Sequence, residues 1–131
     1  LDITTGRVEF ANAGHNPPLV RHADGSFEFL KSKPGFILAG MEGMKYRKNE
    51  LVLSAGDEIY LYTDGVTEAT NAKNELYGEK RLVKLLDSLH GLTSEGICRA
   101  VKADIDAFVG DAPRFDDITM LYLKYNGGSE K

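Results

Sequence analysis

The run Glu58-Ile59-Tyr60-Leu61-Tyr62-Thr63 carries apolar side chains at successive positions rather than alternate ones, and it closes on Asp64-Gly65. A strand that is apolar on both faces needs cover on both sides, so it commits the chain to a layered fold. A second apolar run, Ile118 to Tyr125, reads as a strand opened by Asp116-Asp117. Each of these two strands therefore has an aspartate at one terminus. Two adjacent aspartates at a strand start oppose the local preference for extended structure, and such conflicts tend to mark sites.

The remaining elements follow from periodicity and punctuation. Residues 7–13 alternate with Val8 and Phe10 on one face, a half-buried strand, after the turn Thr4-Thr5-Gly6. Gly14-His15-Asn16-Pro17-Pro18 is a rigid turn, because two prolines fix φ and remove donors. Leu19 to Arg21 and Phe27 to Leu30 form a hairpin about Ala23-Asp24-Gly25-Ser26. Pro34-Gly35 precedes the apolar stretch Phe36 to Ala39, and a strand at 45–53 leads through the turn Ser54-Ala55-Gly56-Asp57. Two helices follow. Leu82, Val83, Leu85, Leu86 and Leu89 share one face between Glu79 and His90. Thr93 caps the next helix, whose stripe is Ile97, Val101, Ile105, Phe108 and Val109. Strands, then two helices, then one strand predict an α+β fold with mostly antiparallel strands packed under helices.

The chain has 131 residues, 42% of them apolar, which suits a single domain over 1–125 with 126–131 as a disordered tail. A net charge of −4 argues against a nucleic-acid surface. No apolar run has the roughly 20 residues of a membrane span. One cysteine, Cys98, allows no internal disulfide, and a cytoplasmic setting is expected. The first residue is Leu1, and the chain opens on what reads as the arm of a hairpin, so we expect a portion of a longer protein.

Carboxylates converging at the ends of neighbouring strands are a means of holding a hard divalent cation, which can activate water against a phosphate ester. Asp64-Gly65 taken alone is ordinary turn chemistry. The same dipeptide is similar to part of the haloacid-dehalogenase phosphatase motif. That family needs a nucleophilic aspartate two residues earlier, where Tyr62 stands, so the match fails. The segment 65–78 is polar and poorly periodic, and reads equally as a flap or a connecting loop.

Three ordered motifs decide between these readings: Ala11-Asn12-Ala13-Gly14-His15-Asn16-Pro17-Pro18, Tyr62-Thr63-Asp64-Gly65-Val66-Thr67-Glu68-Ala69, and Phe115-Asp116-Asp117-Ile118-Thr119. Together they resemble the C-terminal portion of the SpoIIE-like branch of the metal-dependent type 2C serine/threonine protein phosphatases. The resemblance spans nearly the whole chain. It implies a partial type 2C phosphatase-like β-sandwich flanked by helices, lacking the N-terminal part of the domain. It implies two Mn2+ or Mg2+ ions in the complete domain, with Asp64 and Asp116 as metal-binding, catalytic carboxylates. Asp117, Gly65 and His15 would be auxiliary. The implied substrate is phosphoserine or phosphothreonine on a regulatory partner such as an anti-sigma factor antagonist, attacked by metal-activated water.

His15 invites a general-acid role, a part that histidine often plays in catalysis. Relatives outside this branch often carry Gly-Asp at the corresponding motif, and that aspartate helps bind a third metal; Gly14-His15 stands here instead. The simpler reading, that His15 and Asn16 hydrogen-bond the backbone of a proline-stiffened turn, is preferred. The family's upstream Gly-Asp motif is absent from these residues. The portion alone is therefore expected to bind metal weakly or not at all and to be inactive. Exposed sheet edges are expected to favour a homodimer. The alternative is a non-catalytic protein-interaction module that retains the phosphatase fold; the retention of both Asp64 and Asp116 speaks against it.

Overall fold

A computed structural model describes residues 1–12, 15–30, 48–114 and 116–128. Ala13 at the end of the expected 7–13 strand, Gly14 of the expected turn 14–18, the segments Pro34-Gly35 and Phe36 to Ala39, residues 45–47 of the fourth strand, Phe115 and residues 129–131 lie outside these. The chain order is β1 (Arg7–Phe10), β2 (Leu19–Arg21), β3 (Phe27–Phe29), β4 (Asn49–Val52), β5 (Glu58–Tyr62), α1 (Asp64–Thr67), α2 (Gly78–Ser88), α3 (Ser94–Val109) and β6 (Met120–Lys124). β1 pairs with β4, and β3-β2-β5-β6 is the order of a four-stranded sheet. The chain divides into two compact units, residues 1–59 with 124–131, and residues 60–123.

In the first unit, β1 and β4 run antiparallel with Val8 opposite Leu51 and Glu9 opposite Glu50. Two glutamates directly opposed repel one another. Arg7 offsets this by reaching Glu50 at 2.9 Å, and Lys48 reaches Glu9 at 2.8 Å. These pairs are exposed, so they set register more than they add stability. β2 and β3 form the expected antiparallel hairpin, with Val20 opposite Glu28. Its turn closes through the Gly25 N–H donating to the His22 carbonyl at 2.8 Å. Among the described residues, the buried apolar side chains of this unit include Leu19, Val20, Leu53, Ile59 and Tyr125. The buried Asp57 carboxylate accepts from the backbone N–H groups of Ala23 (3.0 Å) and Ser54 (2.8 Å). A buried charge is tolerable there because backbone donors satisfy it. Gly127 and Gly128 lie against Ala55 and the Thr4 backbone.

In the second unit, the stripes read from periodicity do form the core. Leu82 and Leu86 of α2 and Ile97, Val101, Ile105 and Val109 of α3 are buried. The Thr93 hydroxyl accepts from the Gly96 N–H at 3.1 Å, the N-cap predicted for α3. Gly110, at φ +58°, ends α3 in the left-handed region, where a β-carbon would be strained. A polar clip joins the two helices. Asp104 accepts from the Tyr77 hydroxyl at 2.6 Å and from Arg81 Nε at 3.0 Å. The Arg81 guanidinium lies over both the Tyr77 and Phe108 rings, 5.2 and 4.8 Å from their centroids. Three departures from the sequence-based expectations matter. β1 ends at Phe10. Asp64 begins a short helix rather than a loop. β6 starts only at Met120, so Asp116-Asp117-Ile118 precede the strand.

The Arg81 hydrogen bonds, aided by the Tyr77 hydroxyl and opposed by partial burial, hold the Asp104 carboxyl below its ordinary value. A depressed native pKa stabilises the fold above the unfolded value of about 3.9. That contribution disappears as pH falls through the lower native value. The difference in Tm between wild type and Asp104→Asn should therefore be constant near neutrality and shrink below about pH 4. Thermal unfolding followed by circular dichroism across pH checks it, and a pH-independent difference would contradict it.

Candidate active site

Thr63 occupies the N-cap position of α1, yet its side chain caps nothing. Its hydroxyl is used elsewhere. Thr63 Oγ1 accepts from the Thr119 N–H at 3.1 Å, and its single proton faces the carbonyls of Asp117 (3.3 Å) and Thr119 (3.5 Å). The Thr63 N–H also donates to the Thr119 carbonyl at 3.1 Å. The end of β5 is thus tied to the segment leading into β6. Three backbone groups of residues 117–119 that would otherwise lack partners are engaged here.

Gly65 completes the junction. It is buried, and a β-carbon there would collide with the Asp117 carbonyl, lying 2.8 Å from its carbon atom. Only glycine lets the two backbones approach this closely. Because Gly65 follows Asp64 and touches Asp117, the segments that carry the aspartates are immediate neighbours. Asp64, Asp116 and Asp117 are all exposed. Asp116 Oδ1 accepts from the Asp117 N–H at 2.8 Å, which orients that carboxylate. None of the three aspartates takes part in an ion pair among the described residues. Charged oxygens without a cationic partner, on adjacent rigid segments, are the donor type that Mg2+ or Mn2+ takes. The set is partial, since no group of three or more His, Cys, Asp or Glu is placed to hold a metal among the described residues.

His15 belongs to the first unit, whereas Asp64, Gly65, Asp116 and Asp117 belong to the second. Its backbone is held by Asn12, whose side chain accepts from the His15 N–H at 2.8 Å and donates to the His15 carbonyl at 3.0 Å. The turn is therefore held by Asn12 rather than by the His15 and Asn16 side chains expected, and the buried Asn16 amide nitrogen has no partner among the described residues. The stretch after α1 is not an open flap. Thr70 bridges to Leu76, and the Asn71 side chain accepts from the N–H groups of Lys73 (2.9 Å) and Glu75 (3.0 Å). Asn74 takes φ +61°, which asparagine tolerates.

Neither a tyrosinate nor a thiolate is prepared near these carboxylates. Burial, reinforced by the charges of Glu79 and Asp64, pushes the Tyr62 hydroxyl up to about 12. Burial likewise raises Tyr60 and Cys98. Thr63, to which the motifs alone assign no role, is the residue that aligns the two segments. Its signal is the repeated pattern of threonine beside aspartate in Thr63-Asp64 and Asp117-Ile118-Thr119.

The fold is that of type 2C phosphatase domains. It has a TM-score of 0.74 to the SiaA-PP2C domain of Pseudomonas aeruginosa, at 25% identity over 92% of this chain and 47% of that one. It has a TM-score of 0.73 to the phosphatase domain of the cell fate determinant SpoIIE from Bacillus subtilis, at 14% identity over 100% of this chain and 58% of that one. The family model described as Stage II sporulation protein E (SpoIIE) matches residues 1–126, and the chain belongs to that family. Protein IcfG of Synechocystis sp. is 30% identical over 126 residues, which is 96% of this chain and 20% of IcfG. The chain thus spans a fifth of that relative and about half of the two phosphatase domains.

Gly65→Ala should force Asp117 away from α1. We expect loss of roughly 1–3 kcal/mol, the scale of overpacking, with amide shifts concentrated at residues 63–66 and 116–119. Chemical denaturation and NMR measure both; an unchanged stability and spectrum would refute the close approach.

Proposed function

We propose that the protein carrying this chain is a metal-dependent serine/threonine protein phosphatase, and that Asp64 and Asp116 are metal ligands of its active site. The observation that carries the reading is the Thr63–Gly65 junction, which sets two exposed aspartate segments side by side within a family of type 2C phosphatase fold. When bound, Mn2+ or Mg2+ supplies water activation and neutralises charge on the phosphoryl oxygens. Solved relatives of this fold include one described as presoaked with Mn and one, RsbX, in complex with magnesium.

In this reading Asp64 and Asp116 would hold the cation through hard oxygens. Asp117 orients Asp116 through its N–H and offers a carboxylate to water at the site. Gly65 contributes by its lack of a side chain. His15 is an auxiliary residue that shapes its own turn. The substrate class we propose is phosphoserine or phosphothreonine on a small regulatory protein of the anti-sigma antagonist type, in the cytoplasm.

Isothermal titration with Mn2+ tests the ligands. Asp64→Asn and Asp116→Asn should each weaken binding to the intact protein by at least about tenfold, on the scale seen when groups supporting a metal site are removed. Unchanged affinity would take the substituted residue out of the site. The isolated 131 residues should bind Mn2+ weakly and turn over a phosphoserine peptide far more slowly than the intact protein. Equal turnover would show that the two segments suffice.

A further inference from the structure

Beside the aspartates lies a gap of about 330 Å3, lined by Gly65, Asp116 and, on the α3 side, Ile105 and Val109. Ile105 and Val109 are buried core, so a ligand meets the exposed part of the lining. The charged groups there are Glu68, Arg114 and Asp116, all exposed. Arg114 is the one cationic residue among the described residues of the lining. It precedes Asp116 by two positions, so their Cα atoms are at most about 7 Å apart. An arginine side chain spans that distance.

Arg114 is only loosely committed. Its guanidinium is paired with Asp106 of α3, and the same carboxylate holds Lys102 at 2.7 Å. Two cations therefore divide one carboxylate. The Lys102 hydrogen bond is the first cause of the lowered Asp106 carboxyl, opposed by burial and aided by the Arg114 charge. Lys102 keeps Asp106 paired when Arg114 leaves. The Arg114 side chain is 53% exposed, and exposed ion pairs are weak. A guanidinium fork presents parallel donors that match phosphoryl oxygens. Glu68 repels any anion here, so an occupant must be drawn by more than Arg114. A phosphoryl group at a cation on Asp64 and Asp116 meets that condition.

We propose that Arg114 is a substrate-binding residue of the phosphatase, whose guanidinium exchanges Asp106 for the phosphoryl oxygens of the phosphorylated side chain. Lys102 makes the exchange cheap by remaining on Asp106. The inference rests on the phosphatase reading, because Asp116 is what brings a phosphoryl group to this lining.

The test uses the intact protein with Mn2+, a phosphoserine peptide and inorganic phosphate as competing inhibitor. Arg114→Gln should raise KM about tenfold, the low end for a hydrogen bond to a charged group. It should weaken inhibition by phosphate by a similar factor. Arg114→Lys should recover part of both. Mn2+ affinity, read by isothermal titration, should not fall, since a positive charge beside the cation has been removed. Lys102→Met leaves Arg114 as the partner of Asp106, and should raise KM two- to threefold in wild type but not in Arg114→Gln. A KM or a phosphate inhibition constant unmoved by Arg114→Gln would overturn the proposal. So would weakened Mn2+ binding, the mark of a structural role, or an equal effect of Lys102→Met in both backgrounds. Should wild type hydrolyse no peptide, the phosphatase reading fails. Phosphorus NMR titration of inorganic phosphate onto the Mg2+-loaded protein then decides the contact alone: binding weakened by Arg114→Gln supports it, and binding that is absent or unchanged overturns it.

Discussion

One threonine hydroxyl ties the end of β5 to the segment that leads into β6. Thr63 Oγ1 takes a proton from the Thr119 amide and presents its own to the carbonyls of Asp117 and Thr119. A serine could make the same bonds, but with more rotamers to lose; a β-branched residue at this position is already stiff at χ1. The cost is a helix N-terminus left without its usual side-chain cap. Gly65 then lets the Asp117 backbone settle against α1. The relative position of Asp64 and Asp116 depends on these two residues more than on either aspartate.

Around that junction the unit is conventional. α2 and α3 bury aliphatic stripes, and Arg81, Tyr77, Phe108 and Asp104 clip the helices through charge-assisted bonds and ring contacts. The rigid support matters for any site at the edge, since ligands fixed by packing hold their geometry better than ligands on free loops. The 69–77 segment contributes in the same way: Asn71 closes it into a compact turn, and the Tyr77 N–H returns to the Ala69 carbonyl at 2.8 Å.

Much of the architecture could be read from residue order. The hairpin about Asp24-Gly25 and the Thr93 cap each rest on local rules, and local rules act on neighbours in sequence; the two-sided cover expected for β5 is incomplete, because Leu61 is exposed. The boundaries near the aspartates could not be read so well. Ile118 and Thr119 look like strand because they are β-branched, yet β6 begins at Met120. The backbone of Asp117 and Thr119 is already engaged by Thr63, so it is held by a junction rather than a ladder. Likewise Asp64-Gly65 reads as a turn, but the following Val66 is fully buried and draws the chain into a helical turn.

The order of the three motifs and the charge type at their aspartates were properties of the sequence alone, because they depend on which residues are present. Which backbone atoms meet was decided by the tertiary structure. Thr63 and Thr119 are 56 positions apart, and no local preference predicts a hydrogen bond across that distance. The cavity floored by α3 beside Asp116 arises in the same way. It is made of residues that are ordinary in sequence, and it exists only because helix, loop and strand end are packed around one small gap.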